Sequence, residues 1–310
     1  MKFEFEAIGT DWQIDINQDI SDSALGTIYK KIKDRIYIFD KNYSRFRDDS
    51  IVTKMSRESG EFVLPSDADE MISVYKKMYD ITGGLVTPLI GQVLVDAGYD
   101  AKYSLKPKPL SKPLGWEKVL KWENPKLTLK QPALLDFGAC GKGYLVDIVS
   151  EILEEAGVKS YCVDAGGDMR HHHFLGVQRS KKHLAVKPPS KPPSNLDTEC
   201  LKVGLENPNN KEEVIGVVHL KNQSLCGSSG NRRAWANFHH IINPETLSSP
   251  RHISAVWVIA DKTITADILT TALFFVPPEI LLKHFNFEYL ILYPDFSIKK
   301  SSGFEAETFS

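Results

Sequence analysis

The sequence has no apolar run approaching the roughly 20 residues that a membrane-crossing helix needs. It also lacks an excess of either charge. Its 38 Lys and Arg stand against 40 Asp and Glu, a formal net charge of −2, which gives no electrostatic basis for binding nucleic acid or an anionic membrane. Cysteine is scarce: Cys140, Cys162, Cys200 and Cys226 are scattered, with no CxxC pair and no metal-ligand spacing. Neither standard phosphate loop is present, since there is no GxxxxGK[ST] and GACGKG does not satisfy GxGxxG. No internal repeat is evident. The N-terminus, MKFEFEAIGTDWQIDI, alternates apolar and polar residues as a strand does and a signal peptide does not. The expectation is a cytoplasmic chain with reduced thiols, or a periplasmic one if a leader has been removed.

What is there is ordinary for a globular protein with ample core: 310 residues, 42% hydrophobic and 25% charged. Apolar residues at helical spacing from Leu25 through Ile28, Ile32 and Ile36 to Phe39 predict a first helix. A second is expected from Ser66 or Asp67 to Ile81, with Pro65 before it and Gly83-Gly84 stopping it. The Pro- and Lys-rich stretch 104–115 reads as an extended surface loop, and KPPSKPPSN at 187–195 as a solvated loop or insertion. VDIVSEILEEAGV reads as an amphipathic helix ended by Gly157, and SYCVDAGGDM as a buried strand ending in two glycines. From residue 201 strands dominate: LKVGL, EVIGVVHL, HHIIN and ISAVWVIA. A helix, TITADILTTALFF, and a strand around Tyr289 to Tyr293 follow. The order predicts an α+β fold with one or two antiparallel sheets.

Four segments gather residues that chemistry uses. LLDFGACGKGYLVD, residues 134–147, runs from an apolar strand into a helix and places Asp136, Gly138, Gly141, Lys142 and Gly143 close together. Glycines allow close backbone approach, and a helix start offers free N–H groups to an anion. A tight strand-to-helix turn with an exposed Lys accounts for this segment equally well. VDAGGDMR sets Asp164, Gly166, Gly167 and Asp168 at a strand end. SSGNRRAWANFHHIINPET carries two arginines and the adjacent His239 and His240, of which one should face any cleft. In ADILTTAL, Asp267 and Thr271 share a helix face; their hard oxygens suit Mg²⁺. An exposed Asp favouring the helix dipole is the alternative. His171, His172 and His173 alternate along a strand, so they cannot all reach one ion.

These segments, in this order and over nearly the whole chain, resemble the FAD:protein FMN transferases of the ApbE family. IGTDWQI looks like the family's N-terminal Met-Gly-Thr strand, and YSRFRDDSIVTKMS is similar to its Ser-Thr-Tyr-Arg-x-Asp-Ser segment. TGGLVTPLIG resembles Thr-Gly-Gly-Ala-Phe-Asp-x-x-x-Gly. LLDFGACGKGYLVD resembles Leu-Asp-x-Gly-x-x-x-Lys-Gly-Tyr-x-x-Asp. VDAGGDMR, SSGNRR, HHIINPET and ADILTTAL also have counterparts.

The resemblance implies an ApbE-like, T-fold-related α+β fold, one domain over residues 1–310 that can form two lobes with the site between them. It implies that Asp136 and Lys142 contact FAD, with Ile8, Phe46, Leu85, Val86 and Thr87 at further flavin-contacting positions. It implies that the Ala139 carbonyl, Asp267 and Thr271 hold Mg²⁺, and that His240 also lies at the flavin and serves as the base. The reaction implied moves FMN from FAD to a threonine of an acceptor flavoprotein and releases AMP. Three further readings stand beside it: an FAD pyrophosphatase, a non-catalytic FAD-binding protein, and a hydrolase built on Cys140 and His240. The sequence departs from the family pattern where Ile8 replaces Met, Thr87 replaces Asp, Asn243 replaces Asp and Leu247 replaces Gly.

Overall fold

The computed structural model describes residues 1–173 and 200–309, so the Pro-rich stretch 187–195 lies outside the described residues. In chain order the strands are β1 (Lys2–Ala7), β2 (Thr10–Ile16), β3 (Gly60–Val63), β4 (Leu120–Glu123), β5 (Lys126–Leu129), β6 (Ser160–Ala165), β7 (Asp168–His173) and β8 (Leu201–Asn207). Then follow β9 (Asn210–Leu220), β10 (Ser224–Ser229), β11 (Ala234–Trp235), β12 (Phe238–His239), β13 (Ala255–Ala260), β14 (Glu288–Leu292), β15 (Ile298–Lys300) and β16 (Ala306–Thr308). The helices are α1 (Asp22–Tyr43), α2 (Ile51–Met55), α3 (Ala68–Thr82), α4 (Gly91–Asp96), α5 (Trp116–Val119), α6 (Gly141–Glu155), α7 (Thr263–Ala272) and α8 (Pro278–Leu281).

Local chemistry accounts for the long helices. The Ser21 hydroxyl accepts the Ala24 N–H at the start of α1, and Ile28, Ile32, Ile36 and Phe39 form its buried stripe. Gly83, at φ 63°, ends α3 in the left-handed conformation that glycine adopts without strain. Residues 104–115 form no helix or strand.

An eight-stranded antiparallel sheet in the order β1-β2-β6-β7-β10-β13-β14-β15 organises the molecule. Strand β13 shows how it is covered. All six of its residues are buried, because alternate side chains enter different cores. Val256, Val258 and Ala260 join the main core, which takes in residues of α1, α3, α6 and α7. Ala255, Trp257 and Ile259 meet Leu205, Val218 and Leu220 of the smaller sheet β16-β9-β8. A third cluster gathers Val93, Leu94, Ala97, Tyr99, Trp235 and Ile242.

The structure corrects several expectations. The N-terminal stretch is a hairpin, not one strand; Ile8 and Gly9 turn the chain at φ 46° and 70°. Apolar residues fall at odd positions up to Ala7 and at even ones from Ile8 to Ile16, so the change of phase marks the turn that reading the stretch as one strand passes over. HHIIN is not a strand: β12 ends at His239, and the chain bends away. The described residues form four antiparallel sheets, where one or two were expected. The additional ones are small, β3-β5-β4 and β11-β12 among them, and two- to four-residue strands carry too little pattern to read.

Candidate active site

A cleft of about 810 Å³ opens among α6, α7, the β6–β7 turn, β8 and the segment around Arg233 and His240. Its size suits a small-molecule ligand. One apolar part of the wall includes Phe46, Leu85, Val86, Tyr99 and Ile242; another includes Leu201, Val203, Leu225 and Trp257. The charged groups are Asp136, Lys142, Asp164, Asp168, Lys202, Glu206, Arg232, Arg233 and Asp267.

The loop into α6 is held from several directions. Asp136 Oδ2 lies 2.5 Å from Arg45 Nε, and Asp136 Oδ1 accepts the Gly138 N–H at 2.8 Å. Arg45 also donates to the Tyr99 carbonyl at 2.7 Å, and its guanidinium lies 4.1 Å from the Phe46 ring centroid. The Tyr75 hydroxyl donates to the Asp136 carbonyl and accepts the Ala139 N–H, at 3.2 and 3.1 Å. Asp136 thus lines the cleft while both its oxygens have partners in the protein.

Helices α6 and α7 touch at Gly143. A methyl group there would lie 2.5 Å from the Thr263 carbonyl oxygen and 2.7 Å from Asp267 Cβ, so only glycine permits this approach. The contact supplies an acceptor for a first-turn amide. The Gly143 N–H, one of the amides at the start of α6 that have no acceptor within their own helix, donates to Asp267 Oδ2 at 2.9 Å. Among the described residues the Ala139 carbonyl, two residues before α6, accepts no hydrogen bond. The same holds for Asp267 Oδ1 and the Thr271 hydroxyl. All three residues line the cleft. From α6, Asp147 caps α7 by accepting the Thr263 and Ile264 N–H groups, each at 2.8 Å.

Electrostatics follow from burial. Removal from water, and then the Asp168 carboxylate, hold the Asp267 carboxyl well above the usual range. One carboxylate, one hydroxyl and one carbonyl are hard donors, and a divalent cation would relieve the like charge of Asp267 and Asp168. The chemistry of this donor set therefore fits Mg²⁺, although no cluster of three His, Cys, Asp or Glu side chains poised for a metal occurs among the described residues. His240 lines the cleft with its Nδ1 buried and, among the described residues, without a hydrogen-bond partner. Burial, then the charge of Arg233, lowers its pKa to about 3, so the ring is neutral. His239 points away into the core. Its Nε2 meets the Pro250 carbonyl at 2.8 Å and its Nδ1 accepts the Ile241 N–H at 3.3 Å.

Of the residues singled out from sequence, Phe46, Leu85, Val86, Thr87, Asp136, Ala139, Lys142, His240, Asp267 and Thr271 come together in this cleft. Ile8 does not line it; Thr10, two residues on, does. The reading of Asp267 as an exposed residue fails, because it is 6% exposed. The Cys140 nucleophile fails as well. That side chain is fully buried outside the cleft lining, and burial pushes its thiol well above its ordinary pKa. The three glycines named at this helix start differ in their surroundings: Gly141 faces Phe137 and Phe39 at ordinary distances, a methyl at Gly138 would lie 2.8 Å from Asp136 Oδ1, and Gly143 is pressed against the backbone of α7. Sequence reasoning gave no specific role to Arg45, Tyr75, Gly143, Asp147 or Asp168. Four of them stood in family-like segments, Arg45 in YSRFRDDSIVTKMS, Gly143 and Asp147 in LLDFGACGKGYLVD and Asp168 in VDAGGDMR, while Tyr75 carried no signal.

A relative from Haemophilus influenzae described as an FAD:protein FMN transferase is 27% identical over 296 residues, 88% of this chain and 78% of the relative. The solved ApbE protein of Thermotoga maritima has the same fold, with a TM-score of 0.80 at 20% identity over 98% of this chain and 97% of that one. The flavin transferase ApbE of Vibrio cholerae gives 0.77 at 19% identity, over 98% and 97%. The sequence model of the ApbE family matches residues 8–290, nearly the whole length, and the chain belongs to that family.

Proposed function

We propose that this protein is a Mg²⁺-dependent FAD:protein FMN transferase that moves FMN from FAD to a threonine hydroxyl of an acceptor flavoprotein and releases AMP. The observation that carries the reading is that the Ala139 carbonyl, the second Asp267 oxygen and the Thr271 hydroxyl accept no hydrogen bond among the described residues and belong to one cleft wall. Family membership supports it, as does a lining that offers two apolar surfaces and a charged set to a ligand with two ring systems and a diphosphate. The Ala139 carbonyl, Asp267 and Thr271 would hold Mg²⁺. When bound, the ion supplies Lewis-acid neutralisation of charge on the diphosphate oxygens.

The chain's own residues supply the rest. Lys142, Arg232 and Arg233 bring positive charge to the diphosphate, and the loop fixed by Arg45 and Tyr75 orients it. His240 takes the proton of the acceptor threonine, whose oxygen attacks the FMN phosphorus. The bond from that phosphorus to the AMP oxygen breaks, and AMP leaves. His240 is a weak base while the cleft is empty, because Arg233, Arg232 and Lys142 all depress its pKa. An anionic diphosphate cancels those charges, so the base strengthens when substrate is present.

The test is incubation with FAD and MgCl₂, with and without extract of the source organism. Chromatography reads FMN and AMP, and mass spectrometry reads FMN-threonine peptides. AMP release together with a flavinylated threonine is expected. FMN and AMP in equal amounts with no adduct would identify an FAD pyrophosphatase; FAD bound but recovered intact would identify a binding protein.

A further inference from the structure

We propose that Asp168 is the positioning residue for Lys142, holding its ammonium where the FAD diphosphate is read; the inference rests on the flavin-transfer reading above. Asp168 is the first residue of β7 and lies opposite Ala165 across the Gly166–Gly167 turn. Lys142 reaches from α6 to both ends of that turn. Its Nζ donates to the Ala165 carbonyl at 3.0 Å and rests 2.5 Å from Asp168 Oδ2. The Asp168 side chain is 2% exposed and that of Lys142 26%, so the carboxylate is enclosed while part of the lysine faces the cleft.

Among the described residues the pair with Lys142 is the one favourable contact of the Asp168 carboxylate, whose like-charged neighbours are Asp164 and Asp267. Oδ2 is buried and accepts no hydrogen bond among the described residues, and the contact with Lys142 is electrostatic. A buried carboxylate with one favourable partner is a poor stabilising device, since its desolvation offsets most of the attraction. It is a good orienting one. A free lysine loses considerable rotamer freedom when it binds a phosphate. Here the hairpin has already removed that freedom, because both of its holds on Nζ come from paired residues of one rigid ladder.

The test uses the full-length protein with Asp168→Asn, Lys142→Met and the double variant. It measures FAD affinity by calorimetry, AMP release with Mg²⁺, and melting temperature. Asp168→Asn should raise the KM and Kd for FAD by about three- to tenfold, the cost of ordering one long side chain. The loss should fall more on KM and Kd than on kcat, as for a lost ground-state contact. The double variant should bind FAD no more weakly than Lys142→Met. It should also melt above Lys142→Met, in which Asp168 is left buried without a counter-charge. Unchanged FAD affinity in Asp168→Asn, or losses that multiply in the double variant, would overturn the proposal. Wild-type protein that releases no AMP from FAD would instead overturn the functional reading, while the order of melting temperatures would still test the Asp168–Lys142 coupling.

Discussion

Two glycines two residues apart in α6 should respond oppositely to the same substitution. At Gly143 a methyl group would sit 2.5 Å from the Thr263 carbonyl oxygen and 2.7 Å from Asp267 Cβ, about 1 Å inside ordinary contact distance. Both neighbours belong to α7, which is wedged between α6 and the sheet, so the two helices must part. Overpacking of this kind costs about 1–3 kcal/mol, offset by up to about 1 kcal/mol of helix propensity gained on replacing glycine. For 310 residues each kcal/mol moves the melting temperature by about 1.5 °C, so Gly143→Ala should melt lower by up to about 4.5 °C. The larger effect should be on activity. Parting the helices stretches the Gly143–Asp267 hydrogen bond and shifts the carboxylate; a displacement near 1 Å can cost about 10²-fold in rate. Gly141→Ala is the control, because its new methyl would meet only Phe137 and Phe39, at 3.7–3.9 Å. It should match or exceed wild-type stability and keep its turnover. Melting curves and AMP release at saturating FAD decide the matter. Wild-type turnover in Gly143→Ala, or equal damage from both substitutions, would refute the idea that close helix approach builds the site.

Asp267→Asn should fold but lose AMP release at ordinary Mg²⁺, with some recovery at high Mg²⁺ or with Mn²⁺, and Thr271→Val should show a milder form; wild-type turnover by Asp267→Asn at low Mg²⁺ would sink the metal assignment. His240→Ala should slow transfer by about 10²–10⁴-fold with little loss of FAD binding. His239→Ala should lower the melting temperature instead, since it removes two buried hydrogen bonds; the reverse pattern would exchange their roles. Asp147→Asn should cost about 0.5–2 kcal/mol by weakening the cap on α7, and a melting curve unchanged from wild type would contradict that role. His240 and His171 are held down at about 3 and about 4 by burial, against 6.5 for a free ring. The unfolded chain therefore binds protons that the folded chain refuses, and their contribution to stability should fall as pH drops from 6.5 towards 4. Imidazole resonances of either residue titrating near 6.5 in the folded, substrate-free protein would refute it.

The sequence was most legible where one signal is local. The stripe from Ile28 to Phe39 and the stop at Gly83 each need only a few neighbouring residues, and α1 and α3 form where the periodicity puts them. The chemistry-bearing segments were legible as a set, because family-like motifs in order identify positions even when no single motif does. Pairings between distant residues were not legible. Arg45 and Asp136 are 91 residues apart, and Gly143 and Asp267 are 124 apart. Nothing in either local pattern says that one holds the other. Tyr75 illustrates the limit. It occupies a core position on α3 and reads as part of an apolar stripe, yet its hydroxyl joins the Asp136 carbonyl to the Ala139 amide.

The departures from the family pattern show what those positions do locally. Thr87 stands where an aspartate is common, and its hydroxyl accepts the Leu89 N–H to cap the turn at Pro88–Ile90. Asn243 also replaces an aspartate, and its Oδ1 accepts the Glu245 and Thr246 N–H groups at 2.8 and 3.1 Å. Both substitutes retain the acceptor oxygen that caps a turn and discard the charge. Leu247 is different: it takes a glycine position at φ 55°, where a leucine is strained, and packs beside the cluster of Trp235 and Ile242. The turn at Thr87 in the cleft wall, and the one at Asn243 next to the lining residue Ile242, are therefore kept while two negative charges are lost. Any change in this protein's choice of acceptor should then appear as altered electrostatics at the rim, with the groups around Asp267 and Lys142 left as they are.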